Sequence, residues 1–496
     1  MFYDIFVLSV VALIENHVHE TVSVPQIAAV TGFAPDYFRQ IFKQVTGQTI
    51  TRYIKNRKLS HAAFMLKNSK TKVTDIAMEY GFGSHDVFIR RFRDQYGMTP
   101  SDFRKSSITV KGAPILPGIY APTVLNREEN FMDRNFKSED SMVLYGVPKV
   151  TYFKDKEIEC TPFISSLRAC LTYMGQEVTY ARLLAGSGAA FRLLWNTHEW
   201  DGGNVDILVM RDDPFEPLKK AFTAAGRAFT LLPKAKDLSN KQEFISLIKQ
   251  EIDAGRPLIG FGIIGPPEAC VITGYRENGE VLLGWNFFQD MPEWKGSHET
   301  EDCGYFIRRN WYEHSETVAL MAVGEPTEAV DEMLFLKDTL KLALEVMETP
   351  EVGPRAAGFA AYQEWAKAIG NDHEFSDNAL LPILFTRLMC QTDAFTMVAE
   401  GRAYAGWFMK EEADKFPLYS AKLMEISGIF KREHETAFEM VQYHGGLQMG
   451  EYQAKELAKK ENRIKIIELI RKTEALDRRA AGCIRQLVSE MEKGGE

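Results

Sequence analysis

Cysteine is sparse and scattered in this chain. Its six cysteines (Cys160, Cys170, Cys270, Cys303, Cys390 and Cys483) form no CxxC and no Cys/His cluster at zinc spacing. A structural metal is therefore not expected, and no cofactor is implied. Long hydrophobic runs are missing too, since no apolar stretch approaches the ~20 residues that span a bilayer. Met1 to Ile14 is apolar, but it has no basic n-region, carries Asp4 and lacks a small-x-small cleavage site. It reads as an amphipathic helix with Phe6, Val10, Leu13 and Ile14 on one side, not as a signal peptide. No membrane partner is expected, and the expected location is the cytoplasm.

An overall excess of positive charge is also lacking: the net charge is −9. That figure hides an asymmetry. Residues 1–107 carry 14 Lys+Arg against 9 Asp+Glu, whereas the remainder carries 45 against 59. A basic first fifth on an acidic body points to an anionic partner for the N-terminus alone. The 496 residues, 45% apolar and 26% charged, suit a soluble globular protein of about three domains.

The most informative feature is an internal repeat. Val24, Ile27, Ala28, Gly32 and Phe33 recur as Val73, Ile76, Ala77, Gly81 and Phe82, at an offset of 49. Asp36, Phe38, Phe42 and Gly47 recur as Asp86, Phe88, Phe92 and Gly97, at an offset of 50. A module used twice is implied, each copy being two short helices joined by a glycine turn. Ser23 with Gln26 forms a capping box, and Gly32 closes that first helix. Ala34 to Thr46 and His85 to Tyr96 are the expected second helices. Their inward Phe side chains leave long polar ones outside, as reading a DNA groove requires. Thr51 to Lys67 is a connecting helix of ~25 Å, able to hold the two units roughly one duplex turn, ~34 Å, apart.

These residues resemble the AraC family of transcription regulators. The resemblance rests on Tyr37-Phe38, Phe42-Lys43, Tyr53, Arg57, Ala62, Leu66, Ile76-Ala77, Gly81-Phe82, Ser84, Phe88, Phe92-Arg93, Gly97, Thr99-Pro100 and Phe103-Arg104. It implies double-stranded DNA as partner. Base contacts are expected from Asp36, Arg39, Gln40, His85, Asp86, Ile89 and Arg90, and phosphate contacts from Lys43, Arg52 and Arg93. In most members this module sits at the C-terminus, whereas here it leads, so the family's dimer geometry does not carry over. Monomer and homodimer both stay open, and RNA polymerase is a further candidate partner.

Residues 108–141, with Gly112, Pro114, Pro117, Gly118 and Pro122, read as a linker. Residues 142–325 show short strand-like runs, among them Val143–Val150, Phe191–Trp195 and Val205–Met210, with helices such as Cys160–Met174 between some of them. This is an α+β pattern. It resembles the papain-like fold of the BtrH type, through Gly146-Val147-Pro148, Glu159-Cys160, Ser187 to Arg192 and Gly265-Pro266-Pro267-Glu268. The resemblance places Cys160 at a helix N-terminus, a position that favours thiolate. The strand where the peptidases carry their base reads Glu268-Ala269-Cys270 instead, so the site is expected to be catalytically degraded and the chain not an enzyme. Residues 326–496 read as a helical bundle.

A cleft without turnover still binds. The candidate pocket set is Cys160, Phe191, Arg192, Trp195, Glu268, Cys270, Trp285, Tyr362, Trp365 and Arg402, for an aromatic or cationic small-molecule effector. Two alternatives stay open at this point: a Cys160-dependent hydrolase or acyltransferase, and a thiol redox sensor.

Overall fold

Thr49 caps the first continuous helix among the described residues, its hydroxyl accepting from the Arg52 N–H at 3.4 Å. In the computed structural model, residues 49–125 and 135–493 are described, apart from short breaks at 70, 83, 97, 107–108, 117–118, 155–156, 295, 302, 329 and 377–378. Ile14, Val18, Arg39 and Phe42 are described as well. The chain divides into two compact units, Met1–Asp133 and Arg134–Glu496. The capping box and most of the first repeat copy, including Asp36, Gln40 and Lys43, lie outside the described residues.

In the small unit α1 (Ile50–Asn68) carries Leu59, Ala62, Ala63 and Leu66 on its buried side. Against it pack α2 (Val73–Glu79), α3 (His85–Tyr96) and α4 (Pro100–Lys105). The α2–α3 turn depends on Gly81, which sits at φ +68°. A side chain there would be strained, so glycine lets the chain reverse sharply. The Gly81 and Phe82 N–H groups close the turn onto the Met78 and Ala77 carbonyls, each at 3.0 Å. Thr99 caps α4 by accepting from the Asp102 N–H at 3.2 Å, with Pro100 in the first turn. After α4 the chain departs from the expected linker. Thr109–Leu116 and Ile119–Leu125 pair as an antiparallel hairpin. The prolines that suggested a linker are compatible with a two-stranded ribbon, in which each strand has an unpaired edge.

The large unit is built on a nine-stranded sheet in which every pairing is antiparallel. Its order is Glu299–Thr300, Phe306–Arg309, Val281–Trp285, Ala269–Arg276, Leu258–Phe261, Ala319–Pro326 and Arg227–Pro233; Met142–Val143 also pairs with Ala269–Arg276, and Phe136–Lys137 pairs with Met142–Val143. Ala269–Arg276 is buried along nearly its whole length. Helices α5 (Pro162–Tyr173), α6 (Tyr180–Gly186), α7 (Glu216–Ala225) and α8 (Lys241–Asp253) cover this half. The helical half follows: α9 (Glu332–Glu348), α10 (Gly358–Gly370), α11 (Leu381–Lys415), α12 (Ser420–Glu439), α13 (Glu451–Ala458) and α14 (Lys460–Lys493). The two halves share one core. Leu171 and Ile259 belong to the same buried cluster as Leu336, Phe408 and Ile484. Gly401 marks how closely they meet, since a Cβ there would lie 2.6 Å from the Ala190 carbonyl oxygen.

Several expected strands are shorter than expected or absent; of Phe191–Trp195 only the end is strand, within Leu194–Asn196. Met142–Val143 is short because Gly146 turns at φ +84° and Pro148 follows. Ala189–Phe191 is a helical turn entered through Gly188 at φ +84°, with the Ser187 hydroxyl accepting from the Ala189 N–H at 3.1 Å. The run Val205–Met210 coils because the Asp206 carboxylate accepts from the Leu208 N–H at 2.8 Å, a local bond that competes with any ladder. At the end of the helical half, Glu451–Ala458 and Lys460–Lys493 are parted at Lys459 in extended backbone.

Candidate nucleic-acid interface and a cavity in the large unit

The α3 helix is amphipathic by construction. Phe88 and Phe92 are fully buried and pack in a row with Phe82 and Phe103, tilted or edge to face, at ring separations of 4.9, 5.4 and 5.1 Å. Tyr96 seals the end of this ladder, its hydroxyl 3.3 Å from that of Ser60 on α1. Burying this row fixes which side of the helix faces out. His85, Asp86, Arg90 and Arg93 are exposed, as expected, and so are Arg91 and Gln95, which the repeat did not single out. Ile89 is only half-exposed. The helix starts with the Val87 N–H on the Ser84 hydroxyl at 3.3 Å. In the first copy Arg39 is helical and exposed, and Phe42 is fully buried, edge-on to Tyr53 at 5.5 Å. Arg52 is exposed at the start of α1.

Two other cations of the unit are structural. Lys67 donates to the Ser106 carbonyl at 2.6 Å, and Arg104 to the Leu66 and Thr71 carbonyls at 3.1 and 2.5 Å. They satisfy carbonyls at and just beyond the ends of α1 and α4.

In the large unit the expected pocket set is dispersed. Phe191, Trp195, Cys270, Trp285, Tyr362 and Trp365 are buried core residues. The Trp365 indole donates to Gln391 at 2.8 Å and the Trp285 indole to the Val147 carbonyl at 2.9 Å. Arg402, expected to close a cleft, is sealed within the core. It binds Asp477 at 2.5 Å and Glu433 at 3.3 Å, and donates to the Ala190 and Arg192 carbonyls at 2.9 and 3.2 Å. Burial and the neighbouring Asp477 push the Glu433 carboxyl up, and Tyr362 hydrogen-bonds both acids at 3.0 Å. Arg402 thus staples α11 to the segment that carries Arg192.

Cys160, Arg192 and Glu268 do share one neighbourhood. Cys160 does not open α5: Thr161 is its N-cap and Cys160 precedes it. The helix end that was expected to favour thiolate is already occupied by the Glu400 carboxylate. Glu400 accepts from the Cys160 N–H at 2.5 Å, the Thr161 hydroxyl at 3.0 Å and the Tyr180 hydroxyl at 2.6 Å. Burial, and then the charge of Glu400, push the Cys160 thiol well above its ordinary range. At neutral pH it stays a thiol. Arg192 donates to the Thr161 hydroxyl and the Val205 carbonyl, both at 3.2 Å. Burial and the Asp206 charge push the Glu268 carboxyl up, and burial pushes Asp206 up to about 6.

Cys160 and Glu400 also line a cavity of about 820 Å³ between α11 and α12. Its walls carry Phe395, Tyr404, Trp407 and Phe438. The apolar spacing of α11 and α12 indicated two packed helices but gave no sign of a gap between them. Among the described residues no group of His, Cys, Asp and Glu is arranged to hold a metal ion. No helix among them is long and apolar enough to cross a membrane.

Residues 27–106 match a family described as a helix-turn-helix domain. The transcriptional regulator Rob of Salmonella typhimurium is 36% identical over 94 residues, covering 19% of this chain and 32% of Rob. The regulatory protein SoxS of Escherichia coli is 34% identical over 104 residues, covering 21% of this chain and 97% of SoxS. The uncharacterized HTH-type transcriptional regulator YbfP of Bacillus subtilis is 35% identical over 104 residues, covering 21% of this chain and 35% of YbfP. Among solved structures, the DNA-binding domain of AdpA, a global transcriptional factor in complex with a target DNA, is 27% identical with a TM-score of 0.20. It covers 20% of this chain and 89% of that one. This chain therefore spans about a third of Rob and of YbfP, and nearly all of SoxS.

Proposed function

The chain belongs to the AraC family of transcription regulators through its N-terminal helix-turn-helix domain, and from that premise we propose that it is a cytoplasmic regulator whose large unit senses a small molecule and modulates DNA binding. The observation that carries the DNA half is the polar face of α3, held outward by the buried row of Phe82, Phe88 and Phe92. In this reading His85, Asp86, Ile89 and Arg90 contact base edges, as do Asp36, Arg39 and Gln40 of the first copy. Arg93, Lys43 and Arg52 neutralise phosphates. RNA polymerase is the natural second partner of an activator, and one chain with two reading helices binds as a monomer or homodimer.

For the sensing half, the support is the cavity between α11 and α12, whose lining includes Cys160 and Glu400. We read the α+β half as a papain-like domain without turnover. Cys160 lies beside a helix N-terminus but is held as a thiol, and Glu268 stands ahead of the strand where a base would be. Coupling requires a ligand that binds DNA-competent and incompetent forms differently.

The test separates base from phosphate contacts. Arg90→Ala costs ~1–3 kcal/mol on the preferred site and relaxes specificity, whereas Arg93→Ala weakens all sequences alike and lowers the salt slope by about 1. Equal behaviour of the two variants in salt titrations refutes the assignment.

A further inference from the structure

The cavity between α11 and α12 has fixed walls. The Ser427 hydroxyl donates to the Gly406 carbonyl at 2.8 Å, and the His434 Nδ1–H to the Ala399 carbonyl at 2.7 Å. Advancing along α12 means retreating along α11, so the two helices run antiparallel and are tied at two levels. Their facing side chains are largely apolar. Tyr404 and Trp407 meet edge to face at 4.7 Å toward one end, and Phe395 and Phe438 at 6.5 Å toward the other. Trp407 and Met424, 44% and 46% exposed, give the cavity an apolar rim. On the α12 wall a Cβ at Gly428 would meet nothing nearer than Arg432 Nη1 at 3.8 Å, so the space is unfilled from that side. About 820 Å³ holds a drug-sized organic molecule.

The charges on the lining set the sign of the ligand. Apart from His434 they are Lys410, Lys431, Glu400 and Glu435. Glu400 is spent on three donors of the protein, the Cys160 N–H and the Thr161 and Tyr180 hydroxyls. Glu435 lies 3.9 Å from Lys431, a loose pair between two exposed side chains. Lys410 is exposed and, among the described residues, has neither an ion pair nor a hydrogen bond. The charge left over is positive, so the cavity favours an anion where the sequence suggested an aromatic or cationic ligand. An exposed ion pair contributes little. The rings therefore supply most of the affinity, and the lysines select the sign of the ligand.

We propose that this cavity binds an aromatic carboxylate, its anion held at the rim by Lys410 and Lys431 and its ring system against Trp407 and Tyr404. The proposal rests on the sensing role put forward above and specifies the chemistry of its ligand. The carboxylate gives Lys410 the partner that the protein does not supply, and the ring covers the exposed face of Trp407.

The experiment titrates the full-length protein by calorimetry with 2-naphthoate and indole-3-acetate, beside their neutral amides and the cation tryptamine. Affinity for a DNA site selected from a random-sequence pool is measured in parallel. The expected result is binding of at least one carboxylate, with its amide at least fivefold weaker and tryptamine weaker still. The double variant Lys410→Gln/Lys431→Gln, changed only at exposed positions, lowers the carboxylate to the affinity of its amide. Gly428→Leu fills the space and removes a glycine from a helix interior, so it abolishes binding without lowering the melting temperature. Equal binding of carboxylate and amide, or full carboxylate affinity in the double variant or in Gly428→Leu, overturns the proposal. Binding of tryptamine or an amide alone, with DNA affinity altered, overturns the anion site and leaves sensing intact. Carboxylate binding that Gly428→Leu abolishes, with DNA affinity unchanged, supports the site and refutes its sensing role. Binding of none of the five compounds overturns the site.

Discussion

His444 makes a pH-dependent stability prediction that can be worked through from its surroundings. Its ring is completely buried, neither ring nitrogen has a partner, and it lies edge-on to Phe395 at 5.4 Å. Burial lowers its pKa from 6.5 to about 4. The folded chain therefore holds the ring neutral where the unfolded chain protonates it. A depressed folded pKa means that stability is lost as pH falls through the window from about 6.5 to about 4. At pH 5 the unfolded ring is almost wholly protonated and the folded ring is not, which at ~1.4 kcal/mol per pH unit costs about 2 kcal/mol relative to pH 7.5. Asp393 and Glu433 have raised pKa values, so their contributions run the other way and mask the effect in the wild type alone. The measurement is the difference between wild type and His444→Leu in urea unfolding at pH 7.5 and pH 5. All seven tryptophans lie after residue 194, so fluorescence reports the large unit alone. The wild type should lose about 2 kcal/mol relative to the variant on going to pH 5. A difference that stays within about 0.5 kcal/mol would mean that the ring is solvated or partnered, and the reasoning would fail.

Three further outcomes follow from the same packing. Phe92→Ala removes the centre of the aromatic row and should cost ~3–5 kcal/mol; DNA binding is lost while the tryptophan-monitored transition is unchanged. Arg402→Met leaves Asp477 and Glu433 buried without their cation, an expected loss of ~3–5 kcal/mol in urea unfolding, and a second change of Asp477 to Asn should recover part of it. Glu400→Gln removes the charge that holds up the Cys160 thiol, so iodoacetamide labelling of Cys160 at pH 8 should accelerate; an unchanged rate would assign the suppressed reactivity to burial alone.

The small unit was readable from the chain because its information is local and written twice. A glycine at the turn, Phe at helical spacing and a capping Ser or Thr each act within a few residues, and the second copy came out as read, with α3 at His85–Tyr96. The same locality misled in the linker, where prolines and glycines describe both a loose connector and a hairpin. In the large unit the composition indicated α+β elements followed by helices, and both are present. Which aromatics line a space and which fill the core was not legible. Tyr362 and Trp365 share a helix face in either case, and only the helices packed over them make that face core.

Periodicity and capping, being short-range, are determined by the sequence itself, and with them the helix-turn-helix and its outward polar face. The state of Cys160 was decided elsewhere. Glu400 lies 240 residues away in sequence, yet it accepts the Cys160 N–H and raises the thiol. The cavity beside it exists because α11 and α12 pack with a gap along part of their length. Burial and charge proximity are properties of folded space, and no local pattern encodes the distance between two groups brought together from distant parts of the chain.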